Sequence, residues 1–600
     1  MICDLRFMEL FTNSLFSLNI LFSLSNMKER TSKRIAILGG GPGGLFMYKR
    51  LVESGRRDVE IHIYERKGYL GAGMPYSTEG ANEEHITNVS DNEIPVIFND
   101  IADWVKTAPK DILTKFNIND DNFNEYKVLP RLFFGAYLAA QFDLLQQRAA
   151  EEGIATHVHL KTHVTDVFDD TESQTVNVET DHSRLSSFDQ VVICTGHNWP
   201  KKNEGKIPAY FDSPYPPQKL AKVFNHAVAI KGSSLTAIDA IRTLARNNGT
   251  FEEDQDGRMH FKAAGQSQAF RIVMHSRNGM LPAVRFHLED SHLGKEGLLT
   301  KEELNQHREE NGGFISLDYI FEKNFKKMFV DKDPGFFQLI KDMDLEAFVQ
   351  AMMNSRERVD AFTLLKLEYQ EAERSIAAKD SIYWKEMLAV LSFAMNYPAK
   401  YFSAEDMLRL QKVLMPLISI VIAFVPQSSC RDLMALYDAG ILILNDVGED
   451  SEVIPESKGG ATYRYQDEAG EKVSNYYQTF VDCVGQPHLA YEDFPFQGLL
   501  QDGTVSPATL SFRDAEVAKA LLEQGNSTVE RAKDGDYLLR VPGIAINDQF
   551  QLVSKKGISN PRIYIMAVPY IGGYNPDYSG IDFSEAASST VLKAIFGQED

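Results

Sequence analysis

The feature that most constrains this chain is a short apolar segment followed at once by a glycine-rich turn. Residues 34–38 (RIAIL) read as a strand, residues 39–44 (GGGPGG) as a turn, and residues 45–52 as a helix. In such a unit Gly39 makes the tight turn, Gly41 lets the backbone approach a diphosphate, and Gly44 lets helix and strand pack closely. The spacing predicts a dinucleotide-binding unit, with Pro42 and Gly43 in the same turn.

A second strand supports this interpretation. Residues 59–64 (VEIHIY) alternate and end at Glu65. An acid about 20 residues after the glycine turn is expected to bind a ribose hydroxyl. Arg66 follows, and Gly73 belongs to another glycine-rich turn, where the backbone can approach a ligand. We therefore expect these residues to line the nucleotide site.

Four further segments carry a resemblance to a known family. They are residues 71–78 (GAGMPYST), 85–89 (HITNV), 129–138 (LPRLFFGAYL) and 276–282 (SRNGMLP). Together they resemble the bacterial FAD/NAD(P)-binding flavoprotein family that includes the FAD-dependent urate hydroxylase and the nitrosuccinate-forming amine monooxygenase, from about Lys33 to near the C-terminus.

The resemblance implies that FAD is the cofactor and assigns roles to three residues. Arg131 and Asn88 would lie near the flavin, and Asn88 and His85 are the catalytic candidates. The residues by themselves also allow a surface salt bridge for Arg131, a turn-capping amide for Asn88, and a packed or solvated histidine for His85.

Two later segments extend the predicted flavin site. Residues 188–196 (FDQVVICTG) are similar to the family's strand that returns to FAD, which implies cofactor contacts at Val164, Thr195 and Gly196. Near the C-terminus, residues 562–567 (RIYIMA) form a strand, followed by Gly572 and Gly573 and a predicted helix at 584–595. In flavoproteins of this kind that junction meets the isoalloxazine.

A second dinucleotide-binding unit is predicted further along the chain. Residues 227–231 (AVAIK) form a strand, Gly232 begins a turn, and a helix follows that includes Thr236. Ser234 stands where the family has its middle glycine, which weakens the prediction of NADPH or NADH binding. Arg277 follows the next strand and could bind a 2′-phosphate. A packing domain that binds no nucleotide is the alternative.

The overall prediction is an α/β fold with two dinucleotide-binding (Rossmann-like) domains and an inserted helical subdomain. The expected segments are a leader at 1–32, the first part of the FAD-binding domain at 33–205, the second dinucleotide-binding domain at 206–293, the helical insertion at 294–438, and a return to the FAD-binding domain at 439–600. The insertion is expected either to cover the flavin as a lid or to act as a scaffold or homo-oligomer surface.

Composition excludes several classes of partner and site. The chain carries 84 acidic and 62 basic residues, a net charge of −22, so we expect no binding to nucleic acid. Its 4 cysteines form no Cys-x-x-Cys motif, which favours the cytoplasm and argues against a disulfide scaffold. Polar residues interrupt the apolar leader, and residues 415–425 are too short to span a bilayer, so no stable membrane insertion is expected. Histidine spacing predicts no metal site.

The absence of a cysteine pair argues against disulfide reduction, which passes electrons from flavin to a dithiol. The resemblance then implies an NAD(P)H-dependent monooxygenase that uses O2 on a small nitrogen-containing substrate through a flavin hydroperoxide. A flavin oxidase or dehydrogenase that does not use NADPH is one alternative. A noncatalytic FAD-binding protein is the other.

Overall fold

The computed structural model describes residues 32–197, 199–288, 298–467, 469–485, 489–533, 535–577 and 580–597. The predicted leader, apart from residue 32, lies outside these described residues.

The first segment, up to residue 197, builds most of one sheet. Its strands are β1 (Lys33–Leu38), β2 (Val59–Glu65), β3 (Ile86–Ser90), β4 (Val128–Pro130), β5 (Ala155–Leu160), β6 (Val164–Asp170), β7 (Thr175–Thr180), β8 (Leu185–Phe188) and β9 (Gln190–Ile193). Its helices are α1 (Pro42–Glu53), α2 (Ile101–Val105), α3 (Lys110–Phe116) and α4 (Arg131–Glu152). Proline at the first position starts α1, and Gly153, with φ +74°, ends α4.

The second segment contains β10 (Tyr210–Phe211), β11 (Ala227–Lys231), α5 (Leu235–Asn248), β12 (Gly249–Glu253), β13 (Met259–Ala263) and β14 (Arg271–Ser276).

The third segment is helical. It contains α6 (Lys301–Glu310), α7 (Leu317–Asn324), α8 (Phe329–Lys332), α9 (Pro334–Ile340), α10 (Leu345–Glu357), α11 (Ala361–Ala378), α12 (Tyr383–Ala394), α13 (Ala404–Arg409), a π-helical turn (Leu410–Leu414), α14 (Met415–Val421) and α15 (Gln427–Asp438). Several of these helices begin at a side-chain cap: Thr300 accepts from the Glu303 N–H at α6, and Asp360 accepts from the Thr363 N–H at α11. None of the helices in the described part of the chain is long and apolar enough to cross a membrane.

The last segment returns to mixed structure. It contains β15 (Leu442–Asp446), β16 (Glu452–Pro455), β17 (Ala461–Gln466), β18 (Lys472–Tyr477), β19 (Thr479–Asp482), α16 (Gln497–Gln501), β20 (Pro507–Ser511), α17 (Ala515–Glu523), β21 (Val529–Arg531), β22 (Tyr537–Ile544), β23 (Gln551–Val553), β24 (Ser559–Ile565) and α18 (Gly580–Phe596).

Two largely parallel sheets organise these elements. The first has the order β23-β24-β9-β1-β2-β5, and only β23 runs antiparallel to its neighbour. The second has the order β10-β19-β11-β14-β15 and is parallel throughout. Their central strands are buried on both faces, as in β1, where Ile35 to Leu38 are at most 1% exposed. The predicted fold class, two Rossmann-like units with a helical region, is confirmed.

The strand pairing divides the last segment differently from the predicted boundary at 439. Strand β15 pairs with β14, and β19 pairs with β11, so both belong to the second sheet. Helix α15 also packs into the second core, through Leu433 and Leu436. The chain re-enters the first sheet only with β23 and β24. This happens because a parallel sheet needs crossover connections, and the helical insertion sits within one of them, between β14 and β15.

Candidate functional site

The glycine turn between β1 and α1 leaves no room for side chains. Gly39 has φ +111°, and a Cβ there would lie 2.6 Å from the Cys194 carbonyl oxygen. A Cβ on Gly44 would lie 2.0 Å from the Gly39 oxygen, because helix and strand are in contact there. Gly41 is extended and precedes the first turn of α1. The turn therefore presents bare backbone and helix N–H groups, as a diphosphate requires.

Glu65, at the end of β2, is oriented by backbone N–H groups. Its Oε2 accepts from the Gly40 N–H at 2.9 Å and its Oε1 accepts from the Lys67 N–H at 2.8 Å. A carboxylate has about four acceptor positions, so both oxygens can still accept hydrogen bonds from a ribose. The carboxylate faces a large cavity beside the glycine turn.

That cavity has a volume of about 1010 Å³ and lies at the carboxyl ends of the strands of the first sheet. Among the predicted site residues it is lined by Gly39, Gly41, Pro42, Gly43, Glu65, Arg66, Gly73, Asn88, Val164, Thr195 and Gly196. This is the edge at which open parallel sheets bind their ligands. The structure thus brings together residues from five separate parts of the sequence.

Thr195 gives a further indication of a bound group. Its hydroxyl oxygen is buried and has no hydrogen-bond partner in the described part of the chain. A buried hydroxyl without a partner is costly, and a ligand with polar atoms at this point would satisfy it. The bare glycine backbone, the oriented Glu65 carboxylate and the Thr195 hydroxyl all fit the diphosphate and ribose groups of FAD.

Asn88 lies in strand β3, and its backbone carbonyl is held by Arg285, far away in the sequence. The Arg285 guanidinium donates to the Asn88 carbonyl, to the Ser90 hydroxyl at 2.8 Å, and to the Glu93 carboxylate. Arg285 and Glu93 are both buried, so the ion pair is shielded from water. Arg285 was not predicted, and no local motif marks it.

Arg131, which is predicted to lie near the flavin, forms a buried ion pair with Asp239. Its Nη1 donates to the Asp239 carboxylate at 2.5 Å and its Nε donates to the Ile86 carbonyl at 3.1 Å. The Tyr215 hydroxyl donates to the same carboxylate at 2.7 Å. Arg131 does not line the cavity; it joins the first turn of α4 to α5 of the second unit. Burial acts to lower the Arg131 pKa, but the Asp239 charge outweighs it and the pKa lies above its usual value.

His85, the other catalytic candidate, is fully buried and does not line the cavity. Its Nδ1 accepts from the Asn82 N–H at 3.1 Å, and its Nε2 lies 3.0 Å from the Thr243 hydroxyl and 3.1 Å from the Asp239 carbonyl. Burial lowers the His85 pKa. These contacts pack His85 between the first unit and α5.

The second glycine turn repeats the arrangement of the first. Gly232 has φ +107°, and a Cβ there would lie 2.8 Å from the Cys483 carbonyl, as Gly39 lies against Cys194. Ser234 precedes α5 but its side chain does not cap the helix. The Ser233 hydroxyl instead donates to the Met280 carbonyl at 2.9 Å.

The predicted nicotinamide contacts Gly232, Ser234, Thr236 and Arg277 all lie outside the lining of the large cavity. The Arg277 side chain is 70% exposed, with its Nη1 3.4 Å from Glu449. An exposed guanidinium at the end of β14 is accessible to a phosphate.

The C-terminal junction meets the cavity through residues other than Gly572 and Gly573. A Cβ on Gly573 would lie 2.5 Å from the Pro542 carbonyl, so this glycine packs against β22. Val568 and Tyr570 line the cavity before the glycines, and Ile581 lines it after them. Helix α18 begins at Gly580, four residues before its predicted start, so its N-terminal turn borders the cavity.

The cavity also has walls that sequence reasoning missed. The Trp199 ring is tilted against the Tyr215 ring, with centroids 5.3 Å apart, and its Nε1 donates to the Gly485 carbonyl at 3.3 Å. Ala389 of α12 and Phe424, after α14, line the cavity from the helical insertion. No signal in the sequence could have placed these two side chains against residues some three hundred positions earlier.

Cysteine chemistry has no support in the described residues. Cys194, Cys430 and Cys483 are free and buried, and burial raises the pKa of each thiol. Cys194 lines the cavity but has no partner cysteine beside it.

Fold and site together define a protein with two dinucleotide-binding units and a cavity beside the first glycine turn. Residues 36–198 match the model of the FAD-NAD(P)-binding family. Residues 300–422 match the YdhS-like middle domain. The prediction of an FAD/NAD(P)-binding domain is confirmed.

Similar proteins were found in sequence and in structure. The chain is 29% identical over 474 residues to the uncharacterized protein YdhS of Escherichia coli K12, an alignment that covers 78% of this chain and 86% of YdhS. L-lysine 6-monooxygenase from Pseudomonas syringae is 12% identical, with a TM-score of 0.44, covering 94% of this chain and 99% of the enzyme. The bacillithiol disulfide reductase Bdr of Staphylococcus aureus is 11% identical, with a TM-score of 0.40, covering 95% of this chain and all of the reductase (100%).

Proposed function

We propose that this protein is an FAD-dependent oxidoreductase, and specifically an NAD(P)H-dependent monooxygenase that acts on a small nitrogen-containing substrate. The observation that carries the proposal is the cavity of about 1010 Å³, which joins the glycine turn, Glu65 and Thr195 to a wall of the helical insertion. When bound, FAD would supply electron transfer and the activation of O2. The chain supplies binding, orientation and the exclusion of water.

Different residues would hold different parts of FAD. The N-terminal turn of α1 and the bare backbone at Gly41 suit the diphosphate. Glu65 suits the adenosine ribose, and the Thr195 hydroxyl offers a hydrogen bond deeper in the cavity. The N-terminal turn of α18 carries the positive end of the helix dipole, which favours a reduced, negatively charged flavin.

The residues that the helical insertion contributes to the cavity are apolar, and we take this wall as the substrate end. Ala389, Ile422 and Phe424 come from the helical insertion, and Asn88 faces them from the first unit. An apolar wall excludes water, while one amide can orient a polar substrate atom. This combination supports a small substrate that carries a single polar group for orientation, such as an amine.

The buried thiols support oxygen chemistry over disulfide reduction. A flavin disulfide reductase needs a reactive dithiol. The described cysteines are free and buried, and burial raises the pKa of their thiols.

A second candidate is a flavin oxidase or dehydrogenase that does not use NADPH. It is favoured by Ser234 at the second glycine turn and by the position of that turn outside the large cavity. The two candidates differ in their source of electrons: the monooxygenase needs a pyridine nucleotide, whereas the oxidase takes electrons from its substrate.

The test is anaerobic reduction of the purified flavoprotein. Bleaching of the flavin absorbance by NADPH or NADH, followed by substrate-dependent O2 uptake without stoichiometric peroxide, is the expected result. Small amines, amino acids and purines serve as the substrate panel. Bleaching by a substrate alone, with one peroxide per turnover, would instead establish the oxidase. A purified chain that neither contains nor binds FAD would overturn both.

The variant Arg277→Gln separates the two nucleotides. If Arg277 binds a 2′-phosphate, the variant raises KM for NADPH about tenfold or more and leaves KM for NADH unchanged. Arg464→Gln, an exposed arginine of the same domain, is the matched control.

A further inference from the structure

A histidine-rich cluster lies in the first sheet, outside the cavity. His62 of β2 and His157 of β5 are direct neighbours in the parallel strand pair. Glu60 lies two residues before His62 and therefore on the same face of the sheet. The ligand atoms of these three side chains all lie within 4.8 Å of one another. The sequence gives no hint of this cluster, because the two histidines are far apart in the chain.

The distances within the cluster are close to those of a coordination sphere. The Glu60 Oε1 lies 2.7 Å from the His62 Nε2 and 3.6 Å from the His157 Nε2. Around a tetrahedral Zn²⁺ with bonds of about 2.0–2.1 Å, ligand atoms lie about 3.3 Å apart. Small side-chain rotations would bring the three atoms to that separation. The His157 side chain is half-exposed, and its ring is stacked on that of His62 with centroids 4.6 Å apart.

A second-sphere contact orients the buried histidine. Without a cation the His62 Nε2–H donates to the Glu60 carboxylate at 2.7 Å, and its Nδ1 accepts from the His159 Nε2–H at 3.0 Å. A metal ion at Nε2 would take the other tautomer, in which the Nδ1–H donates to His159. Metal-binding histidines commonly have their other ring nitrogen held in this way.

The positive charge of Arg34 opposes the binding of a cation at this position. The Arg34 Nε lies 3.5 Å from the Glu60 Oε1, and its Nη2 lies 3.4 Å from the His62 Nε2. The guanidinium is also held by the Ser187 carbonyl and lies over the Phe188 ring, 4.8 Å from its centroid. These contacts hold Arg34 on the side of β8, while His157 lies on the side of the partly exposed strand β5.

We propose that Glu60, His62 and His157 form a binding site for a divalent transition-metal ion of the Zn²⁺ type, with water completing the coordination. Two imidazoles and one carboxylate are a common ligand set for Zn²⁺, and three protein ligands leave one position open. The site lies toward the start of β2, whereas the cavity lies at the carboxyl ends of the strands. The proposal is therefore independent of the function proposed above.

The test uses the full chain, freed of metal by EDTA and gel filtration, and titrated with Zn²⁺ in a non-chelating buffer by calorimetry. The expected result is one equivalent of Zn²⁺ whose affinity falls at least about tenfold in His157→Gln. His182→Gln, an exposed histidine beside Asp181 in the same domain, is the matched control and is expected to bind as the unaltered chain does.

A second variant guards against an indirect effect of the first. Glu60→Gln keeps the size and hydrogen-bonding capacity of the side chain but removes its charge, and it is expected to weaken Zn²⁺ by a similar factor. The proposal would be overturned if His157→Gln and Glu60→Gln both bind Zn²⁺ as tightly as the unaltered chain does. It would also be overturned if the unaltered chain binds no equivalent of Zn²⁺ more tightly than His157→Gln does. An unchanged far-ultraviolet circular dichroism spectrum and an unchanged thermal unfolding midpoint in both variants show that the chain is folded.

Discussion

At Gly41 the absence of a side chain has a direct consequence for the cofactor. A Cβ there would lie 3.2 Å from the Gly73 Cα, at the opening that faces the cavity. We expect Gly41→Val to weaken FAD binding at least about tenfold, because the side chain fills the space through which the diphosphate approaches. Flavin absorbance per chain after gel filtration measures this.

Gly265→Val is the control for that substitution. Gly265 has open space around it and no positive φ, so the variant is expected to retain its flavin. Equal flavin content in Gly41→Val and Gly265→Val would contradict the assignment of the turn to the diphosphate.

His275 makes stability depend on pH. The ring is 1% exposed, is stacked on Tyr463 at 4.0 Å, and lies with its Nδ1 3.1 Å from the Ile230 carbonyl. Burial lowers its pKa to about 4, so between pH 6.5 and 4 the unfolded chain binds more protons than the folded one. The part of the free energy of unfolding that depends on His275 is therefore fully present above about pH 6.5. It is lost as the pH falls, by roughly 3 kcal/mol at most.

Urea unfolding at a series of pH values measures this loss. The variant His275→Gln is less stable overall, since it loses the stacked ring, but its free energy of unfolding is expected to fall less steeply between pH 6.5 and 4. His182→Gln, which replaces an exposed histidine, is the matched control. An unchanged slope in His275→Gln would show that His275 titrates normally.

Between elements, a buried ion pair links helices of the two dinucleotide-binding units. Arg131 begins α4, and Asp239 lies on α5; the Asp239 pKa is held low by the Arg131 charge despite burial, which alone would raise it. We expect Arg131→Met to cost about 3–5 kcal/mol of unfolding free energy, because it leaves the Asp239 carboxylate buried without its cation.

The control for this prediction is an arginine on the exposed face of the same helix, α4. Arg148 pairs with Glu152 on the exposed face of α4, so Arg148→Met is expected to cost less than about 1 kcal/mol. Thermal or urea unfolding of the two variants distinguishes them. If Arg131 instead serves mainly to bind flavin, Arg131→Met loses flavin while its apoprotein unfolds with the stability of the unaltered apoprotein.

For the whole molecule, the helical insertion is a wall of the cavity as well as a scaffold. Ala389 of α12 and Phe424 reach the cavity, while most of the insertion packs in a third core that it shares with β20, α17 and β22. We expect Ala389→Leu to raise the substrate KM or lower turnover about tenfold by filling the substrate end, with flavin content unchanged. Steady-state kinetics on the substrate found above measures this.

Ala347→Leu places the same side chain on an exposed face of α10 and is expected to leave the kinetics unaltered. Equal kinetics in the two variants would contradict a role of the insertion in the substrate site, and would leave it as a scaffold.

Much of the first unit follows from the sequence because its determinants are local. The turn at 39–44 needs glycine for reasons of space within a few residues, and Glu65 ends the very next strand. The alternation and length of the apolar runs likewise indicate strands and helices without reference to distant residues. These local constraints determined the fold class and the nucleotide-binding end of the cavity.

The remaining features were decided by tertiary structure, since they depend on contacts between distant residues. The sequence predicts that Arg131 lies near the flavin, whereas its pairing with Asp239, 108 positions away, is seen only in the structure. Strand β15 follows the insertion yet joins the second sheet, because pairing with β14 buries both strands. His62 and His157 meet only through the register of β2 and β5. Sequence patterns reflect interactions between residues that are close in the chain, whereas contacts between distant residues are determined by packing and strand register.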